Sequence, residues 1–376
     1  MPGFEWIDEK EAQAVSKIFK EGGTLFAHGF DNIRKKYYVR SFEKNCEKYF
    51  GSAGCLAVSS GTAAIKIALK AVGVKKGDEV ITQSFNFIAT VEAILDCGAI
   101  PIIANINDTL NLDPEELPKL ISKKTKAIIP VHMLGVPCEM DKIKSIAKKY
   151  KIPVVEDNCE AVGAKYKGNF LGTLGDIGIF SFDHGKILTS GEGGMILTNK
   201  NKLLKYCKEY HDHGHENNKS LPRGRDTKKI FGFNYRMTEI QGAIANEQLK
   251  KLSKIIKDNS SKFNVLKNIV SPYFKTRLIP KDSMCINDTL IIFQSNKVKK
   301  KEIIKILKKY KFGTKNLPDA MEWHCSFFWD HALKKSQIIR SKKTLKILKD
   351  CIAIPIWRRK TIKDYQKLGN KIIEYK

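Results

Sequence analysis

The segment from residue 55 to residue 198 alternates short apolar runs with longer stretches that carry apolar residues at helical spacing. The runs have the length and β-branched content of buried strands, and they are residues 56–58, 79–81, 100–104, 127–131, 154–155, 177–182 and 195–198. Helical spacing occurs between them, for example at residues 63–72, 87–93 and 141–149. This order predicts an α/β fold in which helices cover both faces of a mostly parallel sheet.

A change of pattern in the last third of the chain predicts a second domain. The chain has 376 residues, which is more than one core usually serves. Residues 237–256 have the spacing of one long helix, and beyond them Lys-rich helical stretches flank brief apolar runs at 289–293 and 352–356. We therefore predict a large domain over residues 1–255 and a smaller C-terminal α+β domain over residues 256–376.

Basic residues outnumber acidic ones by 67 to 40, which gives a formal net charge of +27. Such a charge favours acidic partners, including phosphates, carboxylates and nucleic acid. The lysines are spread along the whole chain, whereas a nucleic-acid-binding protein more often concentrates them on one arm or face. This distribution favours a solvated, Lys-rich surface and no nucleic-acid partner. A basic regulatory or nucleic-acid-binding protein is the alternative from a different functional class.

The sequence predicts a cytoplasmic protein with no membrane partner. It has no run of about 18 apolar residues to span a bilayer. Residues 1–20 carry acidic side chains where a signal peptide would be cationic and then apolar. The nine cysteines stand singly, with no Cys-x-x-Cys pair, which predicts reduced core thiols rather than disulfides or a zinc site.

The first segment that indicates chemistry is Ser-Ser-Gly-Thr-Ala-Ala at residues 59–64, between a predicted strand and a predicted helix. Gly61 lets the backbone approach a ligand, while Thr62 and the free N–H groups of the new helix point toward any anion at its positive end. The segment therefore suits a phosphate, although Ser and Thr also cap helices without a ligand. It matches neither the Walker A nor the dinucleotide glycine pattern, so nucleotide hydrolysis and hydride transfer lose support.

A carboxylate and a lysine follow two of the other predicted strands. An apolar run ends in two carboxylates, Glu156 and Asp157, at the strand end where open α/β sheets bind ligands; a carboxylate there would face a cationic group, or Asp157 would simply cap a helix. Lys186 lies between Phe-Ser-Phe at 180–182 and Gly-Glu-Gly-Gly at 191–194. Partial burial there would lower its pKa and make it a nucleophile toward an aldehyde. A phosphate, a ring cation and an aldehyde together describe pyridoxal 5′-phosphate.

These segments and two others resemble one family of enzymes. The others are Asn-Phe-Ile-Ala-Thr at residues 86–90 and Gly-Phe-Asn-Tyr-Arg-Met at residues 232–237. With the motifs at 59–64, 156–157 and 180–194, they make the first two thirds of the chain similar to the DegT/DnrJ/EryC1/StrS aminotransferases. The resemblance implies the fold type I aminotransferase architecture. In it, a mostly parallel seven-stranded sheet lies between helices, beside a smaller C-terminal α+β domain.

By that resemblance, two residues are catalytic. Lys186 would bind the aldehyde of pyridoxal phosphate and then move a proton between the cofactor and the substrate carbon. Asp157 would hold the pyridine nitrogen protonated, which keeps the ring an electron sink. Glu160 stands where relatives commonly have Gln or His, and it would also contact the cofactor.

The same resemblance implies five further cofactor contacts. Thr62 and Ser181 would bind the phosphate together with the backbone of Gly61. Asn234 would reach the same phosphate from a second subunit. Phe87 would stack on the ring.

Histidines and arginines at residues 211–225 are candidates for substrate binding. The three histidines of the segment 211–215 alternate, and an extended segment would place them on one face; a solvated loop near the substrate is favoured over a metal site. The two arginines could clamp a carboxylate or a diphosphate, or lie in solvent. The predicted substrate-binding residues are His184, His213, His215, Arg223 and Arg225, and no metal ligand is predicted.

Three segments resemble one branch of the family, which makes 8-amino-3,8-dideoxy-octulosonate for lipopolysaccharide from an oxidised sugar acid. They are Met-Pro-Gly-Phe-Glu at the start of the chain, Gly-Phe-Asp at residues 29–31 and His-Asp-His-Gly-His at residues 211–215. An aromatic run at residues 323–329 could also stack on a sugar, but such runs more often form core or dimer contacts.

The resemblance implies an aminotransferase that takes an amino group from L-glutamate and gives it to a keto sugar, in two half-reactions of ping-pong order. The keto sugar would be nucleotide-linked or an 8-keto octulosonate. A sugar dehydratase of the same fold is the close alternative, but in those relatives His replaces the lysine, so Lys186 disfavours it. Because Asn234 would complete a neighbouring site, we expect a homodimer with shared active sites.

Overall fold

The computed structural model describes residues 3–30, 33–34, 36–218 and 220–376. Its α-helices are α1 (Glu9–Lys20), α2 (Tyr38–Phe50), α3 (Gly61–Ala71), α4 (Ala89–Asp96), α5 (Leu117–Leu120), α6 (Met140–Tyr150), α7 (Asn201–Tyr210), α8 (Glu239–Val270), α9 (Lys297–Lys309), α10 (Met321–His324), α11 (Lys335–Arg340), α12 (Lys342–Leu348) and α13 (Ile362–Ile372). Its strands are β1 (Cys55–Val58), β2 (Glu79–Gln83), β3 (Ile100–Ala104), β4 (Thr125–Ile129), β5 (Val155–Asp157), β6 (Lys165–Tyr166), β7 (Asn169–Phe170), β8 (Ile177–Ser181), β9 (Gly194–Leu197), β10 (Ser283–Met284), β11 (Thr289–Phe293) and β12 (Cys351–Pro355).

Within the described residues, seven strands form one sheet in the order β3-β2-β4-β5-β8-β9-β1. Two parallel bridges, Ile128 to Val154 and Val131 to Asp157, join β4 to β5. Strand β9 is antiparallel to both of its neighbours, and all other pairs run parallel. The predicted mostly parallel seven-stranded sheet is therefore confirmed.

Both faces of the sheet are buried because alternate residues of each strand enter different cores. Ala57 and Ile81 belong to the core that the sheet forms with α2, α6 and α8. Leu56 and Val80 belong to the core that it forms with α3, α4 and α7. Burial on both sides explains why the strands overlap short apolar runs in the sequence rather than an alternating apolar and polar pattern.

Helix α8 connects this core to the C-terminal part of the chain. It continues to Val270, past residue 256, where the predicted helix ends. Leu252 lies in the core beside the large sheet, whereas Leu266 lies in a C-terminal core with Ile292 of β11 and Tyr365 of α13. A boundary at residue 255 would therefore fall inside a continuous helix, and the division into domains 1–255 and 256–376 stays a prediction.

The C-terminal core forms around the antiparallel pair β11 and β12, at the two predicted runs. Helices α9 and α13 contribute Leu307 and Leu368 to it. None of the helices in the described ranges is both long and apolar enough to cross a membrane. The nine cysteines are free thiols, and all except the half-buried Cys159 are buried, as predicted.

Candidate active site

The ends of β5 and β8 meet the start of α3 around one cavity of about 330 Å³. Open α/β sheets bind ligands at the carboxyl ends of their strands, and β5 and β8 both end here. Seven of the residues predicted to contact the cofactor line this cavity; they are Gly61, Thr62, Phe87, Asp157, Glu160, Ser181 and Lys186.

The start of α3 forms the part of the cavity that suits an anion. Ser60 caps the helix, since its Oγ accepts a hydrogen bond from the Ala63 backbone N at 3.1 Å. A Cβ on Gly61 would lie 2.8 Å from Ser181 Cβ, so glycine is needed for this close approach of α3 to β8. The first-turn N–H groups of α3 therefore lie beside the side chains of Thr62 and Ser181 at the positive end of the helix.

Asp157 ends β5 with its side chain in the cavity wall, and only 3% of its surface is exposed. Its Oδ2 accepts a hydrogen bond from Thr90 Oγ1, and its Oδ1 accepts one from the Cys159 backbone N, each at 3.1 Å. Burial raises the pKa of Asp157, although these hydrogen bonds and the charge of Lys186 oppose the rise. The carboxylate therefore has two neutral donors in place but would gain from a cation beside it.

Lys186 and Glu160 face each other in the cavity, with 3.5 Å between Lys186 Nζ and Glu160 Oε1. The sequence predicts that burial lowers the pKa of Lys186, and this expectation is wrong for the net shift. Burial does lower this pKa, but the nearby acidic groups, led by Glu160 and then Cys159, outweigh it and the pKa lies above its usual value. The amine is therefore held as an ammonium group.

Glu160 is ionised in spite of its burial. Its Oε2 accepts a hydrogen bond from the Leu134 backbone N at 3.1 Å. Burial raises the pKa of Glu160, but the charges of Lys186, Lys315 and His324 outweigh burial and lower the pKa to about 2. A negative charge at this position is thus balanced by surrounding cationic groups.

The loop that carries Lys186 is fixed by local and distant contacts. The Lys186 backbone N donates to Asp183 O at 3.0 Å, and Lys186 O accepts a hydrogen bond from Gly3 N at 2.6 Å. His184 stacks on Phe4, with ring centroids 4.5 Å apart, and does not line the cavity. The N-terminal segment therefore covers the lysine loop.

The lining residues that the sequence did not assign include Thr90, Asp288, Lys315, Asn316 and His324. Thr90 lies in the motif at 86–90, as the second residue of α4, and its hydroxyl was the available signal. The other four come from distant parts of the chain, where no local motif marks them. His324 belongs to the aromatic run at 323–329, and its ring centroid lies 5.4 Å from that of Phe87.

Asn234 does not line the cavity of its own chain. It is exposed and forms an antiparallel bridge with Asp212. Its Oδ1 accepts a weak hydrogen bond from the Arg236 backbone N at 3.4 Å. The bridge places the histidine segment at 211–215 beside Asn234, with His213 exposed and His211 and Asp212 buried.

The predicted substrate-binding residues of this region differ in their contacts and in their exposure. Arg223 donates to both carboxylate oxygens of the buried Asp212, at 2.8 and 2.5 Å, so its guanidinium group already has a partner. His215 Nδ1 lies 3.1 Å from Asp226 Oδ2, whereas His213 and Arg225 are exposed. Residues His213, His215, Arg223 and Arg225 do not line the cavity. In the described ranges, no three His, Cys, Asp or Glu side chains are grouped as metal ligands.

Comparison with known proteins agrees with this geometry. A model of the DegT/DnrJ/EryC1/StrS aminotransferase family matches residues 7–373. The chain is 43% identical to GDP-perosamine synthase of Caulobacter vibrioides over 217 residues, which cover 57% of each protein. It is 39% identical to GDP-perosamine synthase of Escherichia coli O157:H7 over 223 residues, 59% of this chain and 60% of that protein. The matched part thus spans less than two thirds of these relatives.

The fold is also that of known aminotransferases. The crystal structure of the aminotransferase from Psychrobacter cryohalolentis superposes with a TM-score of 0.86 at 25% identity, over 98% of this chain and 97% of that one. The predicted family, fold class and cofactor are confirmed. The chain therefore belongs to the DegT/DnrJ/EryC1/StrS aminotransferase family, whose members are pyridoxal 5′-phosphate-dependent enzymes of fold type I.

Proposed function

We propose that this protein moves an amino group from L-glutamate onto a keto sugar. The sugar would be nucleotide-linked or an 8-keto octulosonate, and the product would enter a bacterial surface polysaccharide or lipopolysaccharide. The observation that carries the proposal is that Lys186, Asp157 and the start of α3 converge on one cavity. An amine, a counterion and a phosphate seat are the groups that a phosphorylated pyridine aldehyde needs.

Asp157 supports the fit of this cofactor. Burial disfavours its charged form, and in the part of the chain that the structure describes no cationic side chain lies within ion-pair distance of it. A protonated pyridine nitrogen would supply that cation, while Thr90 and the Cys159 backbone keep the carboxylate oriented. The residues present therefore fit pyridoxal phosphate.

When bound, pyridoxal phosphate supplies an electron sink that stabilises negative charge on the adjoining substrate carbon. Lys186 Nζ would hold the cofactor aldehyde and carry the proton that the substrate carbon loses. Thr62, Ser181 and the first-turn N–H groups of α3 would hold the phosphate. Phe87 would cover one face of the ring, and Glu160 would contact the cofactor from the Lys186 side.

We also propose a homodimer with shared active sites. Asn234 is exposed on its own chain, so a phosphate contact from it requires a second copy. Phe231 and Phe233, which flank it, expose 74% and 42% of their surface, and large exposed aromatic side chains are typical of an interface. His213, His215, Arg223 and Arg225 lie on the same surface and would approach the partner's substrate.

Two observations favour two different classes of keto sugar. The matched GDP-perosamine synthases favour a sugar carried on a nucleoside diphosphate. The branch motifs favour an octulosonate, although residues 1, 2 and 31 of those motifs lie outside the described residues. His184, close to the lysine, stays a proposed substrate contact, and the cytoplasmic location stays a prediction.

The residues of the cavity give less support to the two alternative functions, a sugar dehydratase and a nucleic-acid-binding protein. A sugar dehydratase would need His at the position of Lys186, and a lysine lies there in the cavity. A nucleic-acid-binding protein would lose affinity steeply with salt, so a gel shift at two salt concentrations separates it from the enzyme.

The proposal is tested on purified protein in three steps. We expect a visible absorbance band from the lysine-bound cofactor, absent in Lys186→Ala. L-glutamate should then bleach the band, and the correct keto sugar should restore it. A screen of keto-sugar nucleotides and keto-ulosonates identifies the acceptor; a band that L-glutamate leaves unchanged would reject the proposed donor.

A further inference from the structure

Lys315 brings a second ammonium group into the cavity that holds Lys186. Its side chain is 8% exposed, and its Nζ donates to Asp288 Oδ2 at 2.6 Å. An ammonium group has three N–H donors, and among the described residues this is the one hydrogen bond that the Lys315 ammonium makes. Asp288 thus fixes the ammonium while two donors remain for a ligand.

Asn316, the next residue, supplies a second unsatisfied donor. Its Nδ2 atom is buried and has no hydrogen-bond partner among the described residues. Buried polar groups are nearly always paired, because leaving one unpaired costs free energy. Since Asn316 also lines the cavity, an acceptor on a ligand would satisfy this donor.

The charged groups around these donors favour a ligand group with one negative charge over a ligand group with two. Glu160 and Asp288 line the same cavity, and the charges of both Lys315 and Lys186 act on Glu160. These carboxylates already offset part of the lysine charge, so a doubly charged phosphate would meet more repulsion than a carboxylate. The phosphate seat at the start of α3 is a separate part of the wall.

We propose that Lys315 and Asn316 bind a carboxylate of the reactant whose amine or carbonyl carbon lies at Lys186, with Asp288 positioning Lys315. This rests on the proposed function, because a reactant at Lys186 presupposes transamination. An amino-acid donor carries a carboxylate, and a sugar-acid acceptor carries one too. The two donors match the two oxygens of that group.

Calorimetric titration of the holoenzyme tests the proposal without turnover. The probes are glutarate, an unreactive dicarboxylate of the donor's size, and 3-deoxy-octulosonate, a sugar acid. The first variant is Asn316→Asp, which puts a carboxylate in place of the free donor. The second is Lys315→Met with Asp288→Asn, which removes both charges, so that no buried Asp288 carboxylate is left without its lysine. Lys309→Met, on the exposed end of α9, is the control.

Both test variants should weaken binding of the carboxylate probe about tenfold or more, and the control should not. Weaker binding of glutarate alone assigns the subsite to the donor, and weaker binding of the octulosonate alone assigns it to the acceptor. No binding of either probe to the wild type, or equal affinity in all variants, overturns the proposal. If L-glutamate fails to bleach the cofactor band while a probe binds, the proposed function fails and the carboxylate site stands.

Discussion

Lys186 Nζ lies 3.5 Å from Glu160 Oε1, and this ion pair sets the protonation of the amine at the centre of the cavity. Burial lowers the pKa of Lys186, whereas Glu160 and the other nearby acidic groups raise it beyond its usual value. A protonated lysine is not a nucleophile. The same contact that places the amine therefore keeps it protonated until its proton is taken away.

Glu160→Gln should shift the pH dependence of cofactor attachment to lower pH. Removing the carboxylate removes the largest interaction that raises the pKa of Lys186, so burial acts with less opposition and the pKa falls. At a given pH below the pKa, more of the amine is then neutral and reactive. Gln keeps an oxygen that accepts from the Leu134 backbone N. The measurement is the initial rate of pyridoxal phosphate attachment against pH, and a shift to higher pH would contradict the interpretation.

Lys186→Arg should retain the charge and lose the covalent attachment. The guanidinium group pairs with Glu160 as the ammonium group does, but it is not a nucleophile at neutral pH. We expect a folded protein without the lysine-bound absorbance band and without transamination. Spectroscopy and thermal unfolding of the variant and the wild type separate lost chemistry from lost folding. A visible band in Lys186→Arg would show that another amine holds the cofactor.

The sheet was predictable from the sequence because its strands are buried on both faces. β3 has the predicted bounds. For every other predicted strand of the sheet, the first and last residues differ from the observed ones by at most two positions. Local composition is enough in such strands, since each strand overlaps a short run rich in apolar residues. Helix α8 was underestimated because its apolar face passes from one core to the next, at Leu252 and Leu266, and the Asp-Asn-Ser-Ser run at residues 258–261 between them has low helix propensity.

The residues of the site could be predicted from the sequence where they lie inside short motifs. Gly61 begins α3, Asp157 ends β5 and Lys186 lies in the loop between β8 and β9, each inside a short motif. Lys315 was not predictable, because its place in the cavity depends on packing between distant parts of the chain. Arg223 makes a contact that the sequence did not predict. Its guanidinium group suggested a contact to a carboxylate or a diphosphate of the substrate. In the folded chain this group instead pairs with Asp212.

Gly61→Ala should destabilise the protein and weaken cofactor binding. The added Cβ would lie 2.8 Å from Ser181 Cβ, so α3 or β8 must shift at the proposed phosphate seat. Overpacking of this kind costs about 1–3 kcal/mol. Gly224→Ala is the matched control, because an added Cβ there meets nothing within 4 Å. Denaturant unfolding and cofactor titration of both variants provide the check, and equal behaviour of the two would show that the close approach is unimportant.

Mixed dimers test whether Asn234 serves the partner's site. Lys186→Ala alone should be inactive, and Asn234→Ala should bind pyridoxal phosphate more weakly, because the exposed amide would contact the phosphate of the other chain. In a dimer of one Lys186→Ala chain and one Asn234→Ala chain, the site of the first chain lacks both Lys186 and a partner's Asn234. The site of the second chain has its own Lys186 and an intact Asn234 from its partner. Separately tagged chains, unfolded together and refolded, give such dimers. We expect the mixed dimer to regain about half of the wild-type activity per dimer under limiting cofactor, since one of two sites is complete. If Asn234 acted on its own chain, neither site would be complete, and the mixture would show no more activity than the separate variants.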